Sequence, residues 1–348
     1  MRMQRNALSL ATRVGRETMI SAAKEAYGRL AASGTTGAER DGSSADEGNA
    51  TSPATTDVHC LVGELLGGGE PPYEPSGHLL QDLTAGRCVT HFPHCSQRDT
   101  WDCGIACMQM IMRWLRPSQF APQIDDCMPL SCDELAERKW IIDACESQSI
   151  WTIDFIIILQ RLFDEDLRQS FDFPLSSRNQ DDDGAWDKAR YLYLSKRFGV
   201  DEAYKSYGYY KDAFERDAAR VKKRFALARE LNLPMCEARI GLDLLVDVIS
   251  RDECIAMVLL DNAVIKRSGG DYAGHYILLV GISTDAEDIA QAEACCGKEE
   301  DPPSTRHCLV VKNPNWPESI TFVTPTLFEK AWRANGTDED VILIAKAM

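Results

Sequence analysis

The first candidate for chemistry in this chain is a cysteine, in the segment Asp102-Cys103-Gly104. Apolar residues follow it with helical spacing as far as Leu115, which predicts that Cys103 lies in the first turn of a helix. A helix N-terminus offers partial positive charge and free N–H groups, which stabilise a thiolate and lower its pKa. We expect Gly104 to let a substrate backbone approach closely. Cys103 is therefore a candidate nucleophile.

Three other residues have the types that a thiol nucleophile requires. His275 opens one predicted strand and Asn313 closes another, so neighbouring strands would place an amide beside an imidazole. Gln97 precedes Cys103, and its amide is a candidate oxyanion donor together with the Cys103 N–H. The order Gln, Cys, His and Asn along the chain predicts a papain-like thiol site.

Periodicity predicts the elements that would position these residues. Helices are expected over 102–115, 131–146, 152–163 and 210–231, and strands over 255–261, 275–282, 308–312 and 341–346. Helices first and strands afterwards indicate an α+β fold rather than alternating βαβ units. We expect a helical segment at about 133–232, which would cover or shape the cleft, and a sheet at about 253–348. Residues 282–306 are expected to be a solvent-exposed insertion in a hairpin-like connection.

The N-terminal part has a different composition from the rest. Arginines outnumber acids in the first thirty residues, which indicates a partly helical tail or, alternatively, an organellar transit peptide. Residues 33–57 are rich in Gly, Ser, Thr and Asp and predict a disordered linker. We therefore expect a disordered head over 1–87 and one domain over 88–348. The expected location is the cytoplasm, with an organelle as the alternative.

Composition excludes several classes of protein. The chain has 348 residues, 44% of them hydrophobic, and a formal net charge of −16. Such acidity argues against a nucleic-acid-binding surface, which relies on Lys and Arg. No apolar run approaches the roughly 18 residues of a membrane span, so no membrane partner is expected. Thirteen cysteines in a chain of this size indicate reduced thiols rather than a disulfide scaffold.

Several short motifs together resemble a known family, the guanylyl cyclase domain-containing proteins, which include animal proteins and a plant soluble guanylyl cyclase. The resemblance covers about residues 92–345, and its motifs, in chain order, are Gln97, Trp101–Gly104, Ser149–Asp154, Gly274–Tyr276, Asn313-Pro314 and Gly336–Asp340. The skeleton is similar in turn to bacteriocin-processing peptidases of the papain-like superfamily.

The resemblance implies a papain-like α+β fold and a role for each site residue. Cys103 would be the nucleophile, His275 the base, Asn313 the residue that orients the base, and Gln97 the oxyanion donor. The bacteriocin-processing peptidases tend to have Asp at the place of Asn313. A neutral amide still orients an imidazole but stabilises its protonated form less.

The family name and the residues point to different activities. The name implies cyclisation of GTP to cGMP, for which Mg²⁺ or Mn²⁺ would be the cofactor. The chain has no P-loop motif, and we interpret the acids at Asp181–Asp183 as a solvated loop and those at Asp338–Asp340 as a polar lead-in to a strand. We therefore favour a cofactor-free thiol site that acts on a peptide-like or protein substrate. A guanylate cyclase and a non-catalytic binding module are the alternatives.

A second cluster has residue types that can bind a metal. Cys88, His91, His94 and Cys95 lie close together in sequence, but their spacing matches no common zinc module. We therefore predict no metal site. The aromatic residues between Tyr204 and Phe214 lack interleaved basic residues, which favours helix packing over base stacking.

Overall fold

The computed structural model describes residues 58–67, 87–88, 92–116, 132–163, 189–200, 214–251, 253–268, 271–296, 307–317 and 320–346. Its helices are α1 (Val58–Leu65), α2 (Cys103–Leu115), α3 (Cys132–Cys145), α4 (Thr152–Phe163), α5 (Phe214–Glu230), α6 (Leu242–Ile249), α7 (Asn262–Lys266), α8 (Ala286–Cys296) and α9 (Pro325–Trp332). Its strands are β1 (Arg87–Cys88), β2 (Arg190–Ser195), β3 (Met235–Glu237), β4 (Cys254–Asp261), β5 (Gly274–Ser283), β6 (Cys308–Lys312), β7 (Thr321–Val323) and β8 (Val341–Ala345).

These strands form one sheet, and the fold is a mixed α+β structure. The order across the sheet is β3-β2-β8-β4-β5-β6-β7, and the short β1 pairs with the far end of β5. All neighbouring strands are antiparallel except β2 and β3, which are parallel. The central strand β8 is a continuous apolar run that is buried along its whole length. Such a run is typical of a strand covered on both faces.

The first of two hydrophobic cores lies between the sheet and helices α2 to α5. All thirteen residues of α2 are buried, so this helix is enclosed by the sheet and its neighbouring helices. The inward-facing residues of β5 on this side are Tyr276, Leu278 and Val280. The alternation of side chains along β5 leaves the remaining residues for the opposite face.

The second core covers that opposite face. It contains residues of α1, α6 and α9 together with Ile277 and Leu279 of β5. Trp332 and Phe328 of α9 are fully buried there. No helix in the described part of the chain is long and apolar enough to cross a membrane.

The elements with strong periodicity were predicted correctly. Helices α2, α3 and α4 begin and end within one residue of the predicted bounds, and β4, β5, β6 and β8 match as closely. Helix α5 is present from Phe214, and the residues predicted to precede it lie outside the described part of the chain.

The division into a helical segment at 133–232 and a sheet after 253 was wrong. Strand β2 lies inside the segment predicted to be helical and pairs with both β3 and β8. Helices α6 to α9 lie within or beside the region assigned to the sheet. A strand such as β2 gains most of its stability from pairing and burial, and local sequence does not report either.

Ordered structure also begins before Cys88, where it was expected to start. Helix α1 buries Val62 and Leu65 in the second core. The Arg190 Nη1 of β2 donates a hydrogen bond to the Glu64 carbonyl, 2.7 Å away. The N-terminal tail, the linker at 33–57 and the acids at Asp181–Asp183 lie outside the described residues.

The connection between β5 and β6 is a hairpin in the sense predicted, because the two strands are adjacent and antiparallel. It is not irregular, however, since helix α8 occupies Ala286–Cys296. Ala292 of this helix is fully buried, which an exposed insertion would not explain. Residues 297–306 lie outside the described part of the chain.

Gly104 is required for packing, which differs from the role expected from the sequence. A Cβ at this position would lie 2.3 Å from Cζ of Phe155 and 3.1 Å from Cδ2 of Tyr276. The close approach is therefore made by the side chains of α4 and β5, which press on the first turn of α2.

Replacing Gly104 with alanine should destabilise the fold. We expect Gly104→Ala to lower the free energy of unfolding by about 1–3 kcal/mol, because the rings must shift out of a packed core. Gly241→Ala is the matched control, since the nearest atom to its added Cβ is 3.9 Å away. Urea denaturation of both variants measures the difference. Equal stabilities would contradict the packing role of Gly104.

Candidate functional site

Two sulfur atoms attach the first turns of α2 to one residue of β5. The Tyr276 N–H donates to the Cys103 Sγ at 3.5 Å, and the Cys107 Sγ donates to the Tyr276 carbonyl at 3.5 Å. The pairing of β5 with β6 begins only at Leu278. The N–H and carbonyl groups of Tyr276 are therefore not paired with β6. Buried backbone groups require partners, and the two cysteines supply them.

The pKa of Cys103 is raised, contrary to the sequence-based prediction. Burial is the largest effect and raises the pKa of the thiol to about 11, whereas hydrogen bonds from the N–H groups of Tyr276 and Gly104 act in the opposite direction. The helix start therefore favours the thiolate as expected, but desolvation outweighs it. In this conformation Cys103 is a protonated thiol at neutral pH.

His275 and Asn313 lie side by side, as the strand pattern predicted. The His275 Nε2 is 2.8 Å from the Asn313 Oδ1, and the Asn315 N–H donates to the same oxygen at 3.0 Å. Because that oxygen is an acceptor, Nε2 must carry the ring hydrogen and Nδ1 is the basic nitrogen. Burial lowers the pKa of His275 to about 4, although the bond to Asn313 acts in the other direction.

The imidazole and the sulfur are separated by the pleat of β5. His275 pairs with Leu260, which belongs to the second core, whereas Tyr276 pairs with Leu259 on the side of the first core. Residues that pair across an antiparallel ladder share a face, so the ring points away from α2. Although both residues are described by the structure, no hydrogen bond joins the Cys103 sulfur to the His275 ring.

Gln97 lies near Asn313 through its backbone rather than its side chain. Its N–H donates to the Pro314 carbonyl at 2.7 Å, which ties the loop before α2 to the turn after β6. The side-chain Nε2 donates to the Asp99 carbonyl at 3.0 Å. The amide is therefore engaged within its own loop in this conformation.

Asp102 has a structural role beside the nucleophile candidate. Its carboxylate is fully buried, accepts the N–H groups of Arg98 and Asp99, and forms an ion pair with Arg138 of α3. The Arg138 guanidinium also reaches Asp99 at 3.2 Å. These contacts fix the loop that leads into α2.

Cys103 opens onto a cleft with aromatic walls and an acidic end. The cavity has a volume of about 230 Å³, and its lining includes Trp101, Cys103, Gly104, Trp151, Thr152, Tyr193, Arg197, Phe225, Tyr272, Tyr276, Asp338 and Asp340. His275, Asn313 and Gln97 are described by the structure but are not among the residues that line this cavity. Of the four residues singled out from the sequence, only the cysteine faces the cleft.

Sequence reasoning missed the acidic end of this cleft. Asp338, Glu339 and Asp340 were interpreted as a polar lead-in to a strand, but all three are buried, with exposed fractions of 9%, 3% and 8%. Asp338 and Glu339 also adopt left-handed backbone conformations with φ of 50° and 55°. Strained backbone of this kind is concentrated at functional sites. The signal available in the sequence was the motif Gly336–Asp340 itself.

Asp340 accepts hydrogen bonds from hydroxyl groups only. Its donors are the Thr152 Oγ1 and the Tyr193 hydroxyl, the latter at 2.9 Å. Burial raises the pKa of Asp340 to about 7, although these donors favour the charged form. A carboxyl group that titrates near neutral pH in a cleft is a candidate acid–base group.

The aromatic rim is held by an ion pair behind it. Asp154 accepts the backbone N–H of Trp151 at 2.9 Å and pairs with the Arg220 Nη1 at 2.5 Å. The Arg220 Nη2 donates to the Ser149 carbonyl at 2.6 Å. The motif Ser149–Asp154 therefore positions Trp151 over the cleft.

Within the described part of the chain, no group of three or more His, Cys, Asp or Glu side chains is arranged to hold a metal ion. Of the cluster Cys88, His91, His94 and Cys95, His91 lies outside the described residues.

The pKa of Asp340 gives a test of this site that needs no substrate. Its folded pKa of about 7 exceeds the ordinary 3.8, so the folded state binds the proton more tightly than the unfolded state. Stability from Asp340 is therefore largest below pH 4 and falls as pH rises to 7. Relative to Asp340→Asn, we expect the wild type to lose on the order of 4 kcal/mol across this range.

Urea denaturation of both proteins at several pH values checks the expectation, because their other titrating groups are shared. Asp143→Asn is the control, since this exposed carboxylate forms a surface pair with Lys139. A difference between wild type and Asp340→Asn that does not change with pH would contradict the raised pKa.

Comparison with known proteins assigns the chain to a family. A family model described as guanylylate cyclase matches residues 92–173 and 186–344, which include Cys103, His275, Asn313 and Asp340. The chain is 23% identical over 265 residues to guanylyl cyclase 1 of Arabidopsis thaliana, covering 72% of this chain and 74% of the plant protein. No solved structure matches. With most of its length matched by the family model, this chain belongs to the guanylylate cyclase family.

Proposed function

We propose that this protein is a thiol-dependent enzyme that transfers or hydrolyses the acyl group of a peptide-like substrate, with Cys103 as the nucleophile. The observation that carries the proposal is the position of Cys103, at the first turn of a buried helix and on the wall of an aromatic cleft. The sulfur touches the N–H of Tyr276, and the preceding residue is a histidine already oriented by Asn313.

The arrangement of elements supports a papain-like scaffold. A helix that begins with the cysteine packs on an antiparallel sheet, one strand supplies His275, and the turn after the next strand supplies Asn313. The Nε2 of the ring is held by the amide, so Nδ1 is the nitrogen available to a thiol. Holding one ring nitrogen so that the other is available to the nucleophile is the task of the orienting residue in such a site.

The resting state is a neutral pair, and activation requires a movement of the ring. With a thiol pKa of about 11 and an imidazole pKa of about 4, neither group is charged at neutral pH. We propose that substrate binding turns His275 around the start of β5, where Nδ1 takes the thiol proton. Sulfur then bonds to the carbonyl carbon, and the carbon–nitrogen bond breaks as the departing nitrogen takes a proton. Water later hydrolyses the thioester, and the sulfur regains its proton.

The pH dependence of alkylation tests the resting state of the nucleophile. Because only the thiolate reacts, we expect the rate of iodoacetamide labelling at Cys103 to rise about tenfold per pH unit from pH 7 to 10. Peptide mass spectrometry of the unliganded protein measures this rate, with N-acetylcysteine methyl ester as the reference thiol. A plateau below pH 8 would show that the pKa of Cys103 is not raised.

An activated acyl probe tests the proposed chemistry. N-acetyl-phenylalanine p-nitrophenyl ester should release p-nitrophenol and leave an acyl group on Cys103, which is visible by intact mass. Cys103→Ala should abolish acylation, and His275→Gln should slow it by about 10²–10⁴-fold. Cys236→Ala is the matched control, since Cys236 is partly exposed and lies outside the cleft. Acyl groups spread over several cysteines would argue against the proposal.

A guanylate cyclase is the second candidate function. The Arabidopsis relative carries this activity in its name, and the acids Asp338 and Asp340 share the cleft with Cys103. Two carboxylates could supply part of the ligand set of Mg²⁺ or Mn²⁺, and the bound ion would in turn coordinate the phosphates of GTP. Against this candidate, Arg197 is the one Lys or Arg among the described lining residues, and it already pairs with Asp338 at 2.9 Å. A triphosphate is held more commonly by several cations.

Incubation of the purified protein with GTP and Mg²⁺ or Mn²⁺ separates the two candidates. If the cyclase reading is right, cGMP forms, survives Cys103→Ala and is lost in Asp338→Asn. If the thiol reading is right, no cGMP forms and the acyl probe reacts. Inertness in both assays would favour the remaining alternative, a binding module that uses the cleft without turnover.

A further inference from the structure

We infer that Asp340 is the acid–base residue of the cleft, which donates a proton to the leaving amine and later takes one from water. The inference rests on the proposed thiol function, in which His275 takes the thiol proton, and it assigns the separate transfer of a proton to the leaving amine. Asp340 and Cys103 line the same cavity, whereas the His275 ring belongs to the opposite face of β5.

The surroundings of Asp340 leave its carboxyl group free to change protonation state. It is buried and hydrogen-bonded to two hydroxyl groups, and no Lys, Arg or His of the described chain forms an ion pair with it. A buried carboxylate without a cation is costly to ionise. By contrast, the buried Asp154 and Asp102 each form an ion pair with an arginine. Asp340 is thus set apart from the other buried acids of this region.

The hydrogen-bond network connects this carboxyl group to the residue that holds the sulfur. The Thr152 Oγ1 donates to Asp340, so the Tyr276 hydroxyl, 2.9 Å from that oxygen, must be the donor to Thr152. The backbone N–H of the same tyrosine donates to the Cys103 sulfur. Tyr276 therefore spans the distance between the nucleophile and the acid, and its ring lines the cleft between them.

Several elements bring titratable or charged side chains to the cavity around Asp340. The titratable and charged residues that line the cavity with it are Cys103, Tyr193, Arg197, Tyr272, Tyr276 and Asp338. Asp338 raises the pKa of Asp340 by its negative charge, and the hydroxyl of Tyr193 lowers it. Both thus offer a way to shift the titration without removing the carboxyl group.

The two half-reactions balance with Asp340 in this role. In the first, the Cys103 proton goes to His275, the carbon–sulfur bond forms, the carbon–nitrogen bond breaks, and the departing nitrogen takes the proton of Asp340. In the second, water adds to the thioester and gives its proton to the Asp340 carboxylate. The carbon–sulfur bond then breaks, and His275 returns its proton to the sulfur.

The dependence on the leaving group tests this inference. N-acetyl-phenylalanine p-nitrophenyl ester releases a weakly basic phenolate that needs no proton, whereas an N-acetyl-phenylalanine alkylamide releases a strongly basic amine. We expect Asp340→Asn to slow single-turnover acylation of Cys103 by the amide about 10²–10⁴-fold and by the ester less than about fivefold. An equal loss with both probes would overturn the inference.

The pH profile gives an independent readout that a merely structural residue would not change. The rate of acylation by the amide should fall as pH rises through about 7, and this fall should be absent in Asp340→Asn. Tyr193→Phe removes a hydrogen-bond donor to the carboxylate and should move this fall in rate to higher pH. Asp338→Asn removes a negative charge and should move the fall in rate to lower pH. If Asp340→Asn does not fold, these two shifts still decide the question, and their absence would overturn the inference.

Failure of the inference can be told from failure of the proposed function. If the ester does not acylate Cys103 in the wild type, the thiol function fails and the role of Asp340 fails with it. If the ester reacts and the amide rate is insensitive to Asp340→Asn, the thiol function stands and only the inference fails. Lys139→Ala changes an exposed surface ion pair and serves as the control for the general effect of a substitution on the acylation rates.

Discussion

The site depends on the contact between the first turn of α2 and the backbone of Tyr276. This strand residue lies beyond the β5–β6 ladder, so its N–H and carbonyl groups are satisfied by the sulfurs of Cys103 and Cys107. The contact requires a residue without a Cβ at position 104, because Phe155 presses against the same turn. One local constraint thereby fixes the nucleophile candidate, the wall of the cleft and the packing of α4.

Desolvation is the largest effect on the pKa values of two residues that line the cleft and of the neighbouring His275. Burial raises the pKa of the Cys103 thiol and of Asp340 and lowers that of His275, so each of the three is held towards its neutral form. Hydrogen bonds act in the opposite direction in each case but are the smaller effect. The charged pairs, such as Asp154 with Arg220, lie behind the wall and give it shape.

Sequence reasoning succeeded where a single element carries its own signal. The stripe in α2 placed Cys103 at a helix start, and the apolar runs of β5 and β6 placed His275 and Asn313 on adjacent strands. It failed where an element is stabilised by distant partners. Strand β2 pairs with β8, which follows it by almost half of the chain, and helix α1 packs Val62 into the second core.

The sequence by itself determined the family, the residue types of the site and the helices and strands with strong periodicity, because these follow from local composition and spacing. Only the tertiary structure decided which residues share the cleft. It separated His275 from Cys103 by the two-residue alternation of β5, and it buried Asp340 beside Tyr193 and Thr152. The physical reason is that the face of a strand and the solvation of a carboxyl group are set by what packs around them, and those neighbours are remote in sequence.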